Sequence, residues 1–250
     1  MKLKNHKSYE DFYTQESNVY TARRYKTNYG KLFVALYQEG LIAALFNKAK
    51  PQIKLLEVAC GTGQTTEFLQ RLGFNITACD LTSAMMTEAQ QRTANQSPNV
   101  VFLRANAYQL PFLTETFDIL VSTRFLHLFP QHQQKYLIQE FARVLKSNGL
   151  LVVDMDNAVA RTLLAPLILP YNLIRYRRLR ANNYYNLPSQ AKHLLESNGF
   201  QLQTFQGIGG YHLLPLTLLK DELGIKIGRH HFKGFLKYFA EQFLVSAIKK

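Results

Sequence analysis

The sequence predicts an α/β fold in which a parallel sheet carries helices on both faces. Between residues 51 and 156, short apolar runs bounded by turn residues alternate with longer amphipathic stretches. This alternation is typical of parallel sheets, because each parallel connection needs a crossover, usually a helix. The chain has 250 residues, of which 47% are hydrophobic and 19% are charged. It can therefore bury a full core, and we expect one domain.

The predicted strands and helices follow from turn and capping residues at their ends. Gly73 and the pair Asn148-Gly149 stop helices, and Thr82 or Ser83 caps the start of one. The Leu110-Pro111-Phe112 turn separates the third strand from the fourth. The predicted strands are Ile53–Val58, Phe74–Cys79, Val100–Leu103, Phe117–Ser122 and Leu150–Met155, and the helices between them are Gln64–Leu72, Ser83–Arg92 and Gln131–Leu145.

The two ends of the chain extend this core. An amphipathic helix that ends before Pro51 is predicted from an apolar stripe of Phe33, Leu36, Tyr37, Leu41, Leu45 and Phe46. Near the C-terminus we expect a helix over Pro188–Ser197, a strand over Phe200–Phe205, and an edge strand over Phe243–Ile248 that forms a hairpin with it. The single domain thus comprises a helical cap (1–50), a core (51–156), an insertion or lid (157–187) and a part that completes the sheet (188–250).

Charge and cysteine content limit the partners and the compartment. The net charge of +13 favours a polyanionic partner or serves solubility alone. The densest basic cluster is Arg175, Arg177, Arg178 and Arg180, which follows an apolar stretch. The two cysteines are Cys60, in the glycine turn, and Cys79, on the second predicted strand, so neither a disulfide framework nor a metal site is expected. No signal peptide or membrane-spanning run is recognisable, so we expect a cytoplasmic protein.

The segment Glu57–Gly63 predicts a site for a nucleotide-containing cofactor. A strand ends at an acidic residue, a glycine turn follows, and the next helix points its unpaired N–H groups at the same place. Asp80 ends the next strand. Thr66 stands where a dinucleotide-binding fingerprint carries its third glycine.

Five motifs in order resemble those of the class I S-adenosylmethionine-dependent methyltransferases. They are EVACGTG, ACDLTSAMM, RANAYQLPF, FDILVS and RVLKSNGLLVV, and LPSQAKHLLESNGFQL is also typical of the branch that includes quinone-biosynthesis enzymes. The resemblance implies a seven-stranded, mostly parallel Rossmann-like sheet with an antiparallel last strand. It also implies methyl transfer from S-adenosylmethionine to the O, N or C atom of a small molecule.

The resemblance also implies a set of cofactor-binding residues. Glu57 would hold the methionine amino group, Asp80 both ribose hydroxyls, and Asn106-Ala107 the adenine, while Leu81 and Met85 pack on the ring and Thr123 lies beside the sulfonium. The glycine turn contributes Ala59, in place of the commoner first glycine, with Cys60, Gly61, Thr62, Gly63 and Thr66. Helix capping or core packing would explain each residue taken singly.

The acceptor side is predicted from residues near the ends of the fourth and fifth strands. His127 is the candidate general base, although a packing or capping role fits it equally well. Asp156 closes the fifth strand. Tyr13, Tyr20 and Arg24 from the N-terminal segment, with Tyr211 and His212 from a late loop, are expected to cover the site.

Some reaction classes are disfavoured by the sequence. Neither cysteine lies on the substrate side, where cytosine C5 methylation would need one, and the N/D-P-P-Y/F box for base amines is replaced by Ser122-Thr123-Arg124-Phe125. Asp156-Asn157 supplies only half of a possible metal site, so no metal is predicted. RNA, through the basic cluster, and a membrane-bound lipid or quinone remain alternative acceptors. A non-catalytic cofactor-binding role is the remaining alternative.

Overall fold

A computed structural model describes residues 6–25, 28–46, 48–96, 100–160, 162, 183–209 and 234–250. Within these residues the helices are α1 (His6–Tyr25), α2 (Asn28–Leu45), α3 (Gln64–Arg71), α4 (Ser83–Thr93), α5 (Gln131–Val144) and α6 (Pro188–Glu196). The strands are β1 (Lys54–Val58), β2 (Asn75–Asp80), β3 (Val100–Arg104), β4 (Phe117–Ser122), β5 (Leu145–Asn157), β6 (Tyr185–Asn186), β7 (Phe200–Ile208) and β8 (Gln242–Lys249). Short 3₁₀ helices cover Leu126–Leu128 and Gly234–Phe239.

The strands form one mixed sheet in the order β3-β2-β1-β4-β5-β8-β7, and β6 pairs with the end of β5. Strands β1 to β5 are mutually parallel, and β8 runs antiparallel to both β5 and β7. The predicted parallel sheet with an antiparallel last strand is therefore confirmed. The prediction that the last strand lies at the edge is wrong, because β8 lies between β5 and β7.

Side-chain alternation along the strands divides the core into two layers. Leu55 on β1 and Val121 on β4 face the layer that α2 and α3 cover. Leu56 and Leu120, their neighbours in sequence, face the layer that α5 and α6 cover. Both faces of the sheet are thus buried, as expected for parallel strands with helical connections.

The predicted elements agree with the structure to within a residue or two, with a few exceptions. Strand β5 begins five residues before the predicted Leu150, because Leu145 already pairs with Phe117 on β4. Phe46, expected on the apolar stripe of α2, is 69% exposed because the helix ends at Leu45. Among the described residues, no helix is long and apolar enough to cross a membrane. The basic cluster of the insertion, Arg175 to Arg180, lies outside the described residues.

Candidate functional site

The turn between β1 and α3 has a backbone shape that glycine makes possible. Ala59, Gly61 and Gly63 all have positive φ angles, of 60°, 53° and 77°. A Cβ atom on Gly63 would lie 2.8 Å from the backbone of Ala89 on α4. The turn therefore combines a left-handed conformation with a close approach between α3 and α4, which a side chain at position 63 would prevent.

Asp80 joins this turn to the end of β2. Its Oδ2 accepts a hydrogen bond from the Gly61 N–H at 2.9 Å, and its Oδ1 accepts one from the Thr82 N–H at 2.9 Å. Burial raises the pKa of the carboxyl group, while these backbone bonds lower it. Each oxygen keeps a second acceptor direction, so the group predicted to hold the ribose hydroxyls has the capacity to do so.

Glu57 is a buried carboxyl group at the end of β1. Its exposed fraction is 1%, and its Oε2 has no hydrogen-bond partner among the described residues. Burial raises its pKa to about 8. An unpartnered acidic oxygen is costly in the interior, and an ammonium group would offset that cost. Glu57 therefore fits its predicted role toward the methionine amino group.

A pocket opens at the carboxyl ends of β1, β2 and β4. It is lined by Glu10, Tyr13, Tyr20, Val58, Ala59, Gly61, Asp80, Leu81, Thr82, Met85, Ala105, Asn106, Ala107, Tyr108, Arg124, Phe125, Leu128 and Phe129. Nine of the predicted site residues are in this lining, namely Tyr13, Tyr20, Ala59, Gly61, Asp80, Leu81, Met85, Asn106 and Ala107. The position fits the rule that ligands of open α/β sheets bind outside the carboxyl ends of the strands.

The other predicted cofactor residues support the turn from behind the lining. The Thr62 hydroxyl accepts a hydrogen bond from Thr21 on α1 at 3.2 Å. The Thr123 hydroxyl lies 3.0 Å from that of Thr65, which joins the end of β4 to the start of α3. Glu57, Cys60, Gly63 and Thr66 are likewise outside the lining. Their predicted roles toward the cofactor stay predictions.

Asn106 shapes the opposite wall of the pocket. Its side-chain Oδ1 accepts the Tyr108 N–H at 3.0 Å, and its carbonyl accepts the Gln109 N–H at 2.9 Å. The side chain thus forms an Asx turn that fixes its own loop. This turn places Ala107 in the lining, where adenine recognition is predicted.

His127, the predicted base, lies beneath the pocket and not in its lining. It belongs to the 3₁₀ helix after β4, its exposed fraction is 4%, and its carbonyl accepts the Tyr184 N–H at 2.7 Å. Its neighbours Leu128 and Phe129 contribute to the lining instead. The burial of His127 thus supports the packing role that the sequence left open, and its catalytic role stays a prediction.

Both oxygens of Asp156, which with Asn157 could supply half of a metal site, accept hydrogen bonds from side-chain amides. Gln242 donates to Oδ1 and Asn183 donates to Oδ2, the latter at 2.8 Å. The Asn157 amide donates to the carbonyls of Tyr238 and Ala240, both at 2.8 Å. Across the described part of the chain, no cluster of three metal-ligating side chains was found.

Aromatic side chains and one arginine form the wall next to β4. Phe125 and Phe129 pack edge to face with centroids 4.9 Å apart, and Tyr108 packs against Phe129 at 5.6 Å. Arg124 joins them in the lining. The sequence analysis did not assign Arg124, Phe125 or Phe129 to the site. Their position directly after a parallel strand was the signal that could have identified them.

Helix α1 covers the other side of the pocket. Glu10 accepts from Arg104 at 2.6 Å, and Arg104 also donates to the Leu81 carbonyl at 2.9 Å. Tyr13 and Tyr20 lie 6.1 Å apart in an edge-to-face pair. The predicted covering by Tyr13 and Tyr20 agrees with their position in the lining. The side chain of Arg24 and the residues Tyr211 and His212 lie outside the described residues.

Comparisons with known proteins show that part of the chain is similar to methyltransferases. A family model described as a methyltransferase domain matches residues 55–149. The uncharacterized methyltransferase YodH of Bacillus subtilis is 32% identical over 111 residues, which are 44% of this chain and 46% of that protein. The ubiquinone/menaquinone biosynthesis C-methyltransferase UbiE of Campylobacter jejuni is 33% identical over 111 residues, or 42% and 45% of the two chains. The matched segment is less than half the length of these curated relatives.

A comparison of structures extends over the whole chain. The crystal structure of magnesium protoporphyrin IX methyltransferase from Synechocystis, with bound S-adenosylhomocysteine, superposes with a TM-score of 0.71 and 15% identity. The superposition covers 98% of this chain and 100% of that one. At this identity the likeness concerns the fold, and it confirms the predicted Rossmann-like architecture.

Proposed function

We propose that this chain is a class I S-adenosylmethionine-dependent methyltransferase that transfers a methyl group to a small acceptor in the pocket beside Phe125 and Phe129. The observation that carries the proposal is the position of two buried carboxyl groups beside the glycine turn: Asp80, and Glu57, whose Oε2 has no hydrogen-bond partner among the described residues. One group would accept from neutral hydroxyls and the other would receive a cation. S-adenosylmethionine carries both kinds of group.

The contribution of the protein to the reaction is mainly binding and orientation. When bound, S-adenosylmethionine supplies a methyl group that is already activated for in-line transfer. Asp80 and Glu57 would fix its ribose and its amino group, while Leu81 and Met85 pack on the adenine. Phe125, Phe129 and the tyrosines of α1 exclude water around the acceptor. Holding both reactants in line in a dry pocket accounts for much of the rate in reactions of this kind.

The lining next to β4 supports a flat, largely apolar acceptor. Tyr108, Phe125 and Phe129 present aromatic surface, and Leu128 is aliphatic. Arg124 is the basic side chain of that wall and would favour an acceptor with an anionic substituent. This composition supports the small-molecule prediction more than RNA, whose phosphates would require several basic residues.

The proposal is tested by titrating the protein with S-adenosylhomocysteine in a calorimeter. Asp80→Ala removes the charge-assisted hydrogen bonds to the ribose, so we expect its dissociation constant to rise about 10- to 150-fold, or about 1.5 to 3 kcal/mol. Asp118→Ala is the matched control, because Asp118 pairs with Lys146 at 2.7 Å at the start of β4, away from the pocket lining. No binding by the unmodified protein, or equal binding by Asp80→Ala, would refute the proposal.

A further inference from the structure

A chain of buried polar groups lies directly behind the wall next to β4. Tyr37 from α2, Asp154 and Asp156 from β5, and Gln242 from β8 each have an exposed fraction of 6% or less. None of the four lines the pocket. Like Glu57 they lie behind the lining, but their polar atoms have partners within the fold.

These four residues contact one another in sequence. The Tyr37 hydroxyl lies within hydrogen-bond distance of Asp154 Oδ2 and 2.6 Å from Gln242 Oε1. Gln242 Nε2 donates to Asp156 Oδ1. The chain reaches the pocket wall through Asp154 Oδ1, which accepts the Arg124 N–H at 2.6 Å.

Counting protons indicates that these contacts need one more proton than is present when Asp154 and Asp156 are both ionised. Suppose that both carboxyl groups are ionised and that the Gln242 amide donates to Asp156. The single proton of Tyr37 then faces two acceptors, Asp154 and Gln242, and one contact has no proton. If the Gln242 amide is reversed, the contact between Gln242 and Asp156 becomes the one without a proton. A single carboxyl proton satisfies every contact.

The environment places this proton on Asp154. Asp156 accepts amide hydrogens at both oxygens, from Gln242 and Asn183, so its contacts are complete without a further proton. Asp154 receives one backbone N–H, and its burial raises its pKa to about 6. Three groups that can carry charge face it from the packed elements, namely Tyr37 on α2, Asp156 on its own strand and Arg124 after β4.

The contact with Arg124 matters because the backbone there has an unfavourable conformation. Arg124 has a φ of 59°, in the left-handed region that residues other than glycine rarely adopt. Its guanidinium lies 5.3 Å from the centre of the Phe33 ring. The Asp154 hydrogen bond therefore holds a strained residue in the pocket lining, and Phe125 follows directly.

We propose that Tyr37 and Asp154 are positioning residues for the acceptor wall, and that the shared proton holds Arg124 and Phe125 in place until rising pH removes it. With the proton present, Asp154 donates to Tyr37, Tyr37 donates to Gln242, and the free oxygen of Asp154 binds the Arg124 N–H. When Asp154 loses this proton, one buried contact brings two oxygens together with no hydrogen between them, and the chain of hydrogen bonds rearranges. The inference rests on the proposed function only in naming this wall as the acceptor side.

Nuclear magnetic resonance of ¹⁵N-labelled protein with assigned backbone signals tests the proposal without an acceptor. We expect the Arg124 and Phe125 amide signals to shift together between pH 5 and pH 8 with a midpoint near pH 6. In Asp154→Asn the side-chain amide replaces the protonated carboxyl, so both signals should keep the low-pH position of the unmodified protein at every pH. Tyr37→Phe interrupts the chain and should displace them at every pH.

Tyr136→Phe is the matched control, because Tyr136 is an exposed residue of α5; its signals at residues 124 and 125 should equal those of the unmodified protein. Amide signals at these residues that do not respond to pH in the unmodified protein would overturn the proposal. So would an Asp154→Asn variant displaced as far as Tyr37→Phe. Titration with S-adenosylhomocysteine reports separately on the proposed function, since the predicted cofactor residues Glu57 and Asp80 are not part of this chain of hydrogen bonds.

Discussion

Two sets of buried carboxyl groups lie at the carboxyl edge of the sheet, and they differ in how their oxygens are paired. At the ends of β1 and β2, Glu57 has an oxygen with no partner among the described residues, and Asp80 accepts the backbone N–H groups of Gly61 and Thr82. At the end of β5, Asp154 and Asp156 have partners at every oxygen. On the proposed function, the unpaired oxygen of Glu57 would receive a group of the ligand, whereas the paired oxygens of Asp154 and Asp156 serve the fold.

Glu57 carries a desolvation cost that the hydrogen bonds of Asp154 and Asp156 reduce in the second set. An unpaired carboxyl group in the interior loses its hydration without compensation, so the protein keeps it protonated over a wider pH range. The fully paired set offsets desolvation by hydrogen bonds within the fold. A ligand with an ammonium group would supply the missing compensation at Glu57, so the same cost contributes to selectivity for such a ligand.

Glu57→Gln should produce the largest effect, and it should appear as a change in stability with pH. The pKa of Glu57 is raised from 4.5 to about 8. Between these values the folded state holds a proton that the unfolded state has released, so stability falls as pH rises, by about 1.4 kcal/mol per pH unit. Glutamine has no such proton. The variant should therefore become more stable than the unmodified protein by a few kcal/mol on going from pH 5 to pH 8.

Urea unfolding at pH 5 and pH 8, without cofactor, measures this difference. Glu196→Gln is the control, because Glu196 is an exposed residue at the end of α6, and its stability should follow the unmodified protein. Titration with S-adenosylhomocysteine should show weakened binding in Glu57→Gln, whose neutral amide loses the charge that attracts an ammonium group. Equal pH dependence of stability in Glu57→Gln and the unmodified protein would show that the carboxyl is compensated, and the comparison between the two sets would fail.

The sequence predicted both members of the first set in one site, whereas it predicted only Asp156 of the second set, on the acceptor side. Glu57 and the glycine turn form one contiguous segment, and Asp80 ends the adjacent strand, so local pattern and the parallel-sheet rule suffice to place them together. The hydrogen-bonded chain that contains the second set brings together Tyr37, Asp154 and Gln242 from three separate elements. In the sequence Tyr37 fits an apolar helix stripe, and only tertiary packing shows that its hydroxyl is part of a polar chain.

The same distinction applies to the fold. Apolar periodicity and turn residues located most helices and strands within a residue or two, because these signals are local. The insertion of β8 between β5 and β7 was missed, since strand order depends on long-range pairing. Phe125 and Phe129 were missed as pocket residues because an aromatic side chain after a strand resembles ordinary core packing until the neighbouring loops are known.

Asn157→Ala should have an intermediate effect, confined to stability. Its amide donates to two backbone carbonyls of the segment before β8, and its Oδ1 accepts the Val159 N–H at 3.0 Å. Leaving buried carbonyls without donors costs about 2 to 3 kcal/mol in total. We expect that loss in urea unfolding, with unchanged affinity for S-adenosylhomocysteine. Asn75→Ala is the control, since the hydrogen bond of Asn75 to the Pro51 carbonyl is exposed. A weakened affinity in Asn157→Ala would show that the end of β5, which carries the paired set, contributes to the cofactor site.

Glu10→Gln should have the smallest effect, because its carboxyl belongs to neither buried set. Glu10 and Arg104 form an ion pair at 2.6 Å with solvent around both side chains, and exposed pairs contribute about 0.2 to 1 kcal/mol, less in high salt. We expect the affinity for S-adenosylhomocysteine to change less than about threefold at low salt and not at all in 1 M NaCl, as measured by calorimetry. Arg71→Gln, which removes the pair between the exposed Arg71 and Glu67, should leave the affinity unchanged at both salt concentrations. A tenfold or greater loss in Glu10→Gln that persists in salt would show that α1 holds the ligand through this carboxylate. An exposed acid would then contribute as much to binding as the buried Glu57, and burial would no longer separate the ligand position from the rest of the edge.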